Sequence, residues 1–176
     1  MILAEIRQLN QLDGYIYQGR DYINKITLHW TATAYDEVDF SEYHITISGS
    51  GRVFVTRQFN ERGAHTWQRN TGNLGIALAC CGGTAPCIWA DGTVAGWGSY
   101  PPTNAQVEKM AEVVAYTAIG LGVPAVNIQD HHHWARLDGY GCDRVDIMRL
   151  PQENGTGRDI IVGKARYYAN KWGLSL

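Results

Sequence analysis

The segment DHHHWARLDGYGCDRVD, residues 130–146, brings together the residue types that bind divalent metal ions. It holds three consecutive histidines, a cysteine and several aspartates, and the whole chain has six histidines. Imidazole, thiolate and carboxylate groups are the usual protein ligands of zinc. A catalytic zinc takes three protein ligands and leaves a fourth position open for water, and its ligands often come from distant parts of a chain. The segment therefore predicts part of a metal site.

His29 is the candidate for a distant ligand. It lies in ITLHWTAT, where the alternation of apolar and polar residues predicts a strand and the polar residues that follow predict a loop. Taken alone, His29 could be a partly buried imidazole of the core, and the histidine run could be a polar loop that binds no metal. Cys142 and Asp146 both offer the anionic group that would complete the site, and spacing alone does not decide between them.

Length and charge limit the class of protein. A chain of 176 residues with a formal charge of −2 predicts one domain, residues 1–176, and gives no basic surface for nucleic acid or a membrane. No apolar run is long enough to span a bilayer. The start of the chain lacks the cationic segment and apolar core of a Sec signal peptide. We therefore expect synthesis in the cytoplasm and action after release by another route.

Strands and helices interleave along the chain. We predict a strand at residues 26–30, a hairpin at 45–55 with its turn at 49–51, and a buried strand within GNLGIALACCGG. Cys80 and Cys81 are expected to be small buried residues at the end of that strand. Closure of a loop by Cys81 and Cys87 would need an oxidising compartment.

The second half of the chain predicts helices. Residues 83–102 have neither helical nor strand periodicity and are expected to form a loop whose aromatic side chains could line a sugar site. A helix capped by Thr103 or Asn104 should end at Gly122. The histidines should lie on a short strand or loop, and a C-terminal helix is expected at about 157–172. The pattern indicates an α/β domain with a central mixed sheet flanked by helices.

Four motifs, in order, resemble the zinc-dependent N-acetylmuramoyl-L-alanine amidases of the phage-lysozyme and peptidoglycan-recognition type (amidase type 2). ITLHWTAT is similar to the first-ligand strand of that family, and YHITISGSGRVFVT to its hairpin. GAHTWQRNTGNLGIALACCGG resembles its next strand and the turn before it. PPTNAQVEKMAEVVAYTAIGLGVPAVNIQDH resembles its helix and the approach to the second ligand. The resemblance covers roughly residues 22–151.

The resemblance implies a set of ligands. The ending DHHHWARLDGYGCDRVDIMRL is similar to that of a phage-associated branch, with His131 in the place of the second ligand and Asp146 in the place of the third. The spacing after Tyr140 is shorter than in many relatives, so Cys142 stays an alternative third ligand. His132 is likewise an alternative to His131.

The resemblance also implies roles for three further residues. Arg144 stands where the family has a cation that stabilises the oxyanion of the reaction. Tyr43 is similar to the family tyrosine beside the water of the zinc site. His65 resembles a histidine of the groove wall that contacts the stem peptide, and we expect it to bind substrate.

The expected function follows from the family. With one bound Zn²⁺, the chain would hydrolyse the amide between N-acetylmuramic acid and L-alanine of peptidoglycan as a phage-type endolysin. Peptidoglycan would be its partner, and we expect a monomer. Three alternatives are a peptidoglycan-binding module of the same fold without activity, an amidase toxin delivered into a rival cell, and an interaction protein that restrains a polymerase.

Overall fold

A mixed six-stranded sheet forms the centre of the molecule. The computed structural model describes residues 2–83, 88, 89, 91–141 and 144–176. The strands follow the order β1-β4-β3-β5-β2-β6 across the sheet. Strands β3, β5, β2 and β6 are parallel to one another, whereas β4 is antiparallel to both β1 and β3. Their bounds are Ala4–Ile6 (β1), Lys25–Trp30 (β2), Ile45–Ile47 (β3), Val53–Val55 (β4), Asn73–Leu78 (β5) and Ile128–Asp130 (β6).

Four α-helices accompany the sheet. They are α1 (Asp13–Gly19), α2 (Asn104–Leu121), α3 (His131–Leu137) and α4 (Gly157–Lys171), and short 3-10 helices cover Leu9–Leu12 and Ala125–Asn127. Helices α2 and α4 pack against each other, and Lys164 of α4 forms an ion pair with Glu108 of α2. Within the described ranges, no helix has both the length and the apolar character needed to cross a membrane.

The parallel strands place two chain segments side by side at the C-terminal ends of β2 and β6. His29 is next to last in β2, and its neighbour Leu28 lies opposite Asp130, the last residue of β6. Because the C-terminal ends of parallel strands lie side by side, His131, which follows β6, lies beside the end of β2. The pairing of β2 with β6 is therefore what brings the two distant histidine segments together.

The predicted sheet flanked by helices is confirmed, and so are the hairpin, the buried strand β5 and the two long helices. Cys80 and Cys81 are buried free thiols, as expected. In the predicted loop, Ile88 pairs with Val94 through an isolated bridge, while the suggested closure with Cys87 falls outside the described residues.

The expectation that a strand or loop carries the histidines was wrong. The strand ends at Asp130, and the three histidines form the first turn of α3. The side chain of Asp130 accepts a hydrogen bond from the backbone N–H of His133 at 2.6 Å. An aspartate in this N-cap position satisfies an otherwise free donor and starts the helix immediately after the strand.

Gln106 fastens the start of α2 to the sheet. Its side chain is fully buried, and Nε2 donates to the carbonyl oxygens of Ile47 at 3.1 Å and Ala79 at 2.8 Å. Its Oε1 accepts from the backbone N–H of Thr103, which completes a capping box. One side chain thus serves both the helix terminus and the ends of two strands.

His44 immediately precedes β3, and its side chain is fully buried. Its Nδ1 accepts the N–H of Gly75 at 3.1 Å, and its Nε2 donates to the carbonyl oxygen of Glu61 at 2.9 Å. Burial lowers the pKa of His44 to about 4, although the bond to Glu61 opposes this shift. The imidazole is therefore neutral at pH 7 and acts as a fixed link between two backbone segments.

We predict that Gln106→Ala lowers the free energy of unfolding by about 1–3 kcal/mol, because the carbonyl group of Ala79 loses its side-chain donor and that of Ile47 keeps only the N–H of Ala79. Urea unfolding at pH 7 measures this change. Asn104→Ala, at an exposed position in the same helical turn, is the control and should shift the free energy by less than about 0.5 kcal/mol. Equal shifts for the two variants would contradict the role of Gln106.

We predict that His44 makes folding sensitive to acid. Its folded pKa of about 4 lies below the unfolded value of 6.5, so the unfolded chain binds more protons between these values. The stability from neutral His44 is complete above pH 6.5 and is lost as the pH falls towards 4. In His44→Gln, the slope of unfolding free energy against pH in this window should become shallower by up to about 1.4 kcal/mol per pH unit. An unchanged slope would refute this assignment.

Candidate metal centre and its cleft

Three side chains from distant parts of the chain meet at the end of the parallel strands. His29 Nδ1 lies 2.7 Å from Asp146 Oδ2, and His131 Nδ1 lies 3.1 Å from Asp146 Oδ1. The rings of His29 and His131 are 4.8 Å apart between centroids. The structure thus brings together the three residues predicted as metal ligands, and the assignment of their role as ligands remains a prediction.

The donor set fits a zinc ion. One ligand atom from each of the three residues lies within 4.8 Å of the other two. Ligand atoms of a tetrahedral zinc site with bonds of about 2.0–2.2 Å are about 3.3–3.5 Å apart, so small side-chain movements would accommodate the ion. Two imidazoles and one carboxylate leave a fourth position open, as catalytic zinc sites do.

The protonation states also suit a cation. Burial alone would raise the pKa of Asp146, but the adjacent imidazoles of His131 and His29 hold it well below its ordinary value, so the group is a carboxylate. Burial lowers the pKa of His29 to about 4 against the opposing effect of Asp146. His29 is therefore neutral at pH 7, and a neutral imidazole is the form that binds metal.

The helical geometry of α3 separates the three histidines. Residues three and four apart share a helix face, and His131 lies on the buried face with Trp134 and Ala135. His132 Nδ1 instead donates to the carbonyl oxygen of Arg144 at 2.7 Å, and His133 is exposed. Of the run, only His131 points into the group formed with His29 and Asp146.

Trp134 fixes the position of α3 on the sheet. Its indole Nε1 donates to Thr27 Oγ1 at 3.0 Å, within β2. The guanidinium group of Arg69 lies over the indole ring at 4.4 Å from the centroid and donates to Asp138 Oδ1 at 2.7 Å. A stacked cation and a two-point ion pair thus hold the middle and the C-terminal end of α3 against the segment that carries His65.

His131 and Asp146 line a cleft of about 770 Å³ that is open to solvent, and the buried His29 contacts Asp146 from inside the protein. Tyr43 lines it, with its ring centroid 5.1 Å from that of His29. Burial, followed by the charges of Asp146 and Glu42, raises the pKa of Tyr43 above its ordinary value, so its hydroxyl keeps its proton. Arg144 is exposed and also lines the cleft. Cys142, the alternative third ligand, lies outside the described residues.

His65 lies in the floor of the cleft and is less accessible than a residue of the groove wall would be. Its exposed fraction is 6%, and its Nδ1 is 3.1 Å from Nε2 of His29. Its backbone N–H and that of Thr66 donate to Asn70 Oδ1 at 2.9 and 2.7 Å. The contact with the stem peptide stays a prediction, and the contact with His29 was not predicted.

Sequence reasoning missed two further residues of the cleft. Glu42 is exposed beside Tyr43, and Trp67 has 67% of its surface exposed at the cleft rim. Their neighbours in the chain gave the only signal, since Tyr43 and His65 were both predicted to belong to the site. Which side chain of a loop faces a cleft depends on backbone angles that a single sequence does not specify.

Comparisons with known proteins identify the family of the chain. The family model of N-acetylmuramoyl-L-alanine amidase (Amidase_2) matches residues 18–145, more than half of the chain. No protein in the curated set matches.

Three solved structures illustrate the likeness. The amidase AmiD from E. coli, in complex with its substrate anhydro-N-acetylmuramic acid-L-Ala-D-gamma-Glu-L-Lys, is 15% identical, with a TM-score of 0.52 over 65% of this chain and 50% of AmiD. The endolysin amidase LysCS from Clostridium intestinale is 17% identical, with a TM-score of 0.49 over 64% of this chain and 70% of that one. Drosophila PGRP-LB is 19% identical, with a TM-score of 0.46 over 64% and 71%.

The likeness to AmiD shows a shared fold, and the family model supplies the family. Its match spans β2 to β6, α2, α3 and both predicted histidine ligands, and it ends one residue before Asp146. The chain belongs to the N-acetylmuramoyl-L-alanine amidase family.

Proposed function

We propose that the protein is a zinc-dependent amidase that hydrolyses the bond between N-acetylmuramic acid and L-alanine in peptidoglycan, as a phage-type endolysin acting on the cell wall after release. The observation that carries the proposal is the meeting of His29, His131 and Asp146 beside an open cleft that His131 and Asp146 line. Membership of the amidase family gives this metal centre its reaction class.

The metal and the chain would divide the chemistry between them. When bound by His29, His131 and Asp146, zinc supplies a Lewis acid that polarises a carbonyl group and makes water a better nucleophile. Tyr43, which keeps its proton, can donate a hydrogen bond to the oxygen that gains negative charge. Arg144 is a permanent cation at the same cleft and stabilises the same charge.

Glu42 is the best candidate for proton transfer. Glu42 and Asp146 are the two carboxylates that line the cleft among the described residues. Asp146 is occupied by the two histidines, so Glu42 is left to accept a proton from the attacking water and return it to the leaving amine. Its exposed position beside Tyr43 allows exchange with solvent between turnovers.

The shape and lining of the cleft suit a muramyl peptide. Its volume of about 770 Å³ accommodates a sugar and the first residues of a stem peptide. Trp67 presents an exposed aromatic face at the rim, the kind of surface on which a sugar ring packs. The substrate held by the related amidase AmiD belongs to the same chemical class.

A binding module without activity is the second candidate, and its non-catalytic peptidoglycan recognition would not require an intact metal site. The chain keeps a complete set of three donors in contact distance of one another, with a deprotonated carboxylate among them. A half-buried carboxylate between two neutral imidazoles is a ready ligand for a cation, which favours the enzyme.

We predict that purified peptidoglycan treated with the zinc-loaded protein gains free L-alanine amino termini, and that chelation abolishes the reaction until zinc is restored. Labelling of amino groups and assay of reducing sugars on the same digest measure the products. New reducing sugars without new amino termini would show a glycosidase and contradict the proposal.

The same assay includes a ligand pair. Asp146→Ala should lose both bound zinc and activity, because no other described anionic group reaches the two histidines. Cys142→Ala is the matched control and should keep both. Zinc retained in Asp146→Ala but lost in Cys142→Ala would transfer the role of third ligand to the cysteine.

We predict that Glu42→Gln lowers kcat by about 100-fold or more, within the range usual for loss of a general acid–base group, and leaves zinc affinity unchanged. Glu37→Gln removes the same charge from an exposed position outside the cleft lining and should keep wild-type turnover. Steady-state kinetics on a soluble muramyl peptide checks both variants. Wild-type kcat in Glu42→Gln would exclude the role of this carboxylate.

A further inference from the structure

A second buried histidine stands directly behind His29. His65 Nδ1 lies 3.1 Å from His29 Nε2, on the side of that ring opposite Asp146. The other ring nitrogen of His65, Nε2, lies 3.2 Å from the backbone carbonyl oxygen of Asn73. A continuous chain of hydrogen bonds therefore runs from the backbone of β5 through two imidazoles to the candidate metal centre.

The carbonyl group of Asn73, at the end of this chain of hydrogen bonds, determines which atom donates in each bond. A carbonyl oxygen only accepts, so His65 Nε2 must carry the hydrogen that it donates to Asn73. His65 is buried, and the groups that contact its ring nitrogens, the Asn73 carbonyl, the Thr66 hydroxyl and the His29 ring, include no anion that would stabilise a charged imidazole, so the ring is neutral. A neutral imidazole with hydrogen on Nε2 has a lone pair on Nδ1, and His65 Nδ1 is therefore an acceptor.

His29 must then donate through its Nε2. Thr66 Oγ1 lies 2.9 Å from His65 Nδ1 and 3.4 Å from His29 Nε2, and it can accept from His29 while it donates to His65. Both neighbours thus leave the hydrogen of neutral His29 on Nε2. Its Nδ1 presents a lone pair towards Asp146 Oδ2 at 2.7 Å, and two facing lone pairs at that separation call for a cation.

We propose that His65 is a positioning residue, which holds His29 in the tautomer whose Nδ1 is free to bind the metal and thereby strengthens metal binding. The inference rests on the proposed zinc site and adds the residue that prepares it. Metal-binding histidines usually donate their second N–H to a carboxylate, a backbone carbonyl or water. Here a neutral imidazole, itself fixed by a backbone carbonyl, takes that position.

The surroundings of His65 restrict its ring to one place. A Cβ atom added to Gly63 or to Gly75 would lie 2.6 Å from His65 Cδ2, so the ring fills the space that side chains at both positions would need. Asn70 holds the backbone at His65, and Thr27 Oγ1 donates to Asn73 Oδ1 at 3.0 Å, which fixes the residue that supplies the carbonyl. The ring is therefore positioned before any metal arrives.

Zinc affinity of the full-length protein tests the proposal. We expect His65→Phe, which keeps the ring and removes both nitrogens, to bind zinc about 10- to 100-fold more weakly, as measured by competition with a chromophoric chelator. His65→Asn keeps an acceptor near the position of Nδ1 and should recover most of the affinity. Equal affinities for wild type and His65→Phe would overturn the proposal.

His44→Phe is the matched control. His44 is a buried histidine of the same cluster, with its ring centroid 5.7 Å from that of His65, and its nitrogens bond to Gly75 and Glu61 instead of His29. This variant should lose stability and keep wild-type zinc affinity. If it loses as much affinity as His65→Phe, the effect is general loosening of the core and the proposal fails. Circular dichroism of the metal-free variants verifies that each is folded.

Nitrogen NMR of the zinc-loaded wild type gives a second readout. We expect His65 to be neutral with its hydrogen on Nε2, and a His65 ring with hydrogen on Nδ1 would overturn the proposal. Failure of the proposed function is distinguishable from these outcomes, because in that case wild type itself would bind no zinc. A wild type that binds zinc, paired with an unaffected His65→Phe, would refute the positioning role alone.

Discussion

Burial of one carboxylate among imidazoles is the constraint on which the cleft depends. Asp146 keeps its charge in a poorly hydrated position only because His29 and His131 face it. An unpaired buried carboxylate would instead take up a proton, and the site would lose its anion. The fold must therefore deliver two imidazoles to the same point with an accuracy of a few tenths of an ångström.

The sheet delivers the two imidazoles through its parallel pairings. The register of β2 with β6 sets His29 beside the start of α3, and the register of β2 with β5 sets the backbone of Asn73 within reach of His65. The paired residues are mostly buried in both cases, so a one-residue shift would turn the buried side chains of the shifted strand to the other face. Site geometry and core packing are thus specified by the same hydrogen bonds.

Much of this arrangement could be predicted from the sequence. His29 lies where the alternation of apolar and polar residues ends, and the capping residues and terminal glycine of α2 are recognisable in the sequence. Those signals are local, because periodicity and caps depend on residues only a few positions apart. The family resemblance added the order of the ligand segments, which no spacing rule supplies.

The parts that escaped prediction depend on contacts between distant segments. The residues of α3 do not by themselves predict a helix. Tertiary contacts stabilise it: Trp134 donates a hydrogen bond to Thr27, and Arg69 stacks on the Trp134 ring. Strand β1 and helix α1 are too short for a periodicity to stand out. The hydrogen bond of His65 to His29 joins residues 36 positions apart and became visible only in the folded chain.

The run of three histidines determines the effect of deleting a single residue from this segment. Deletion of any one of the three codons leaves the same protein, with a histidine still at position 131, so the ligand itself survives. The later residues of α3, however, each turn by about 100° around the helix axis relative to Asp130. The indole of Trp134 would leave the sheet, and α3 would lose its anchor. The effect of an in-frame deletion of one histidine therefore depends on the displaced Trp134 and not on the lost histidine.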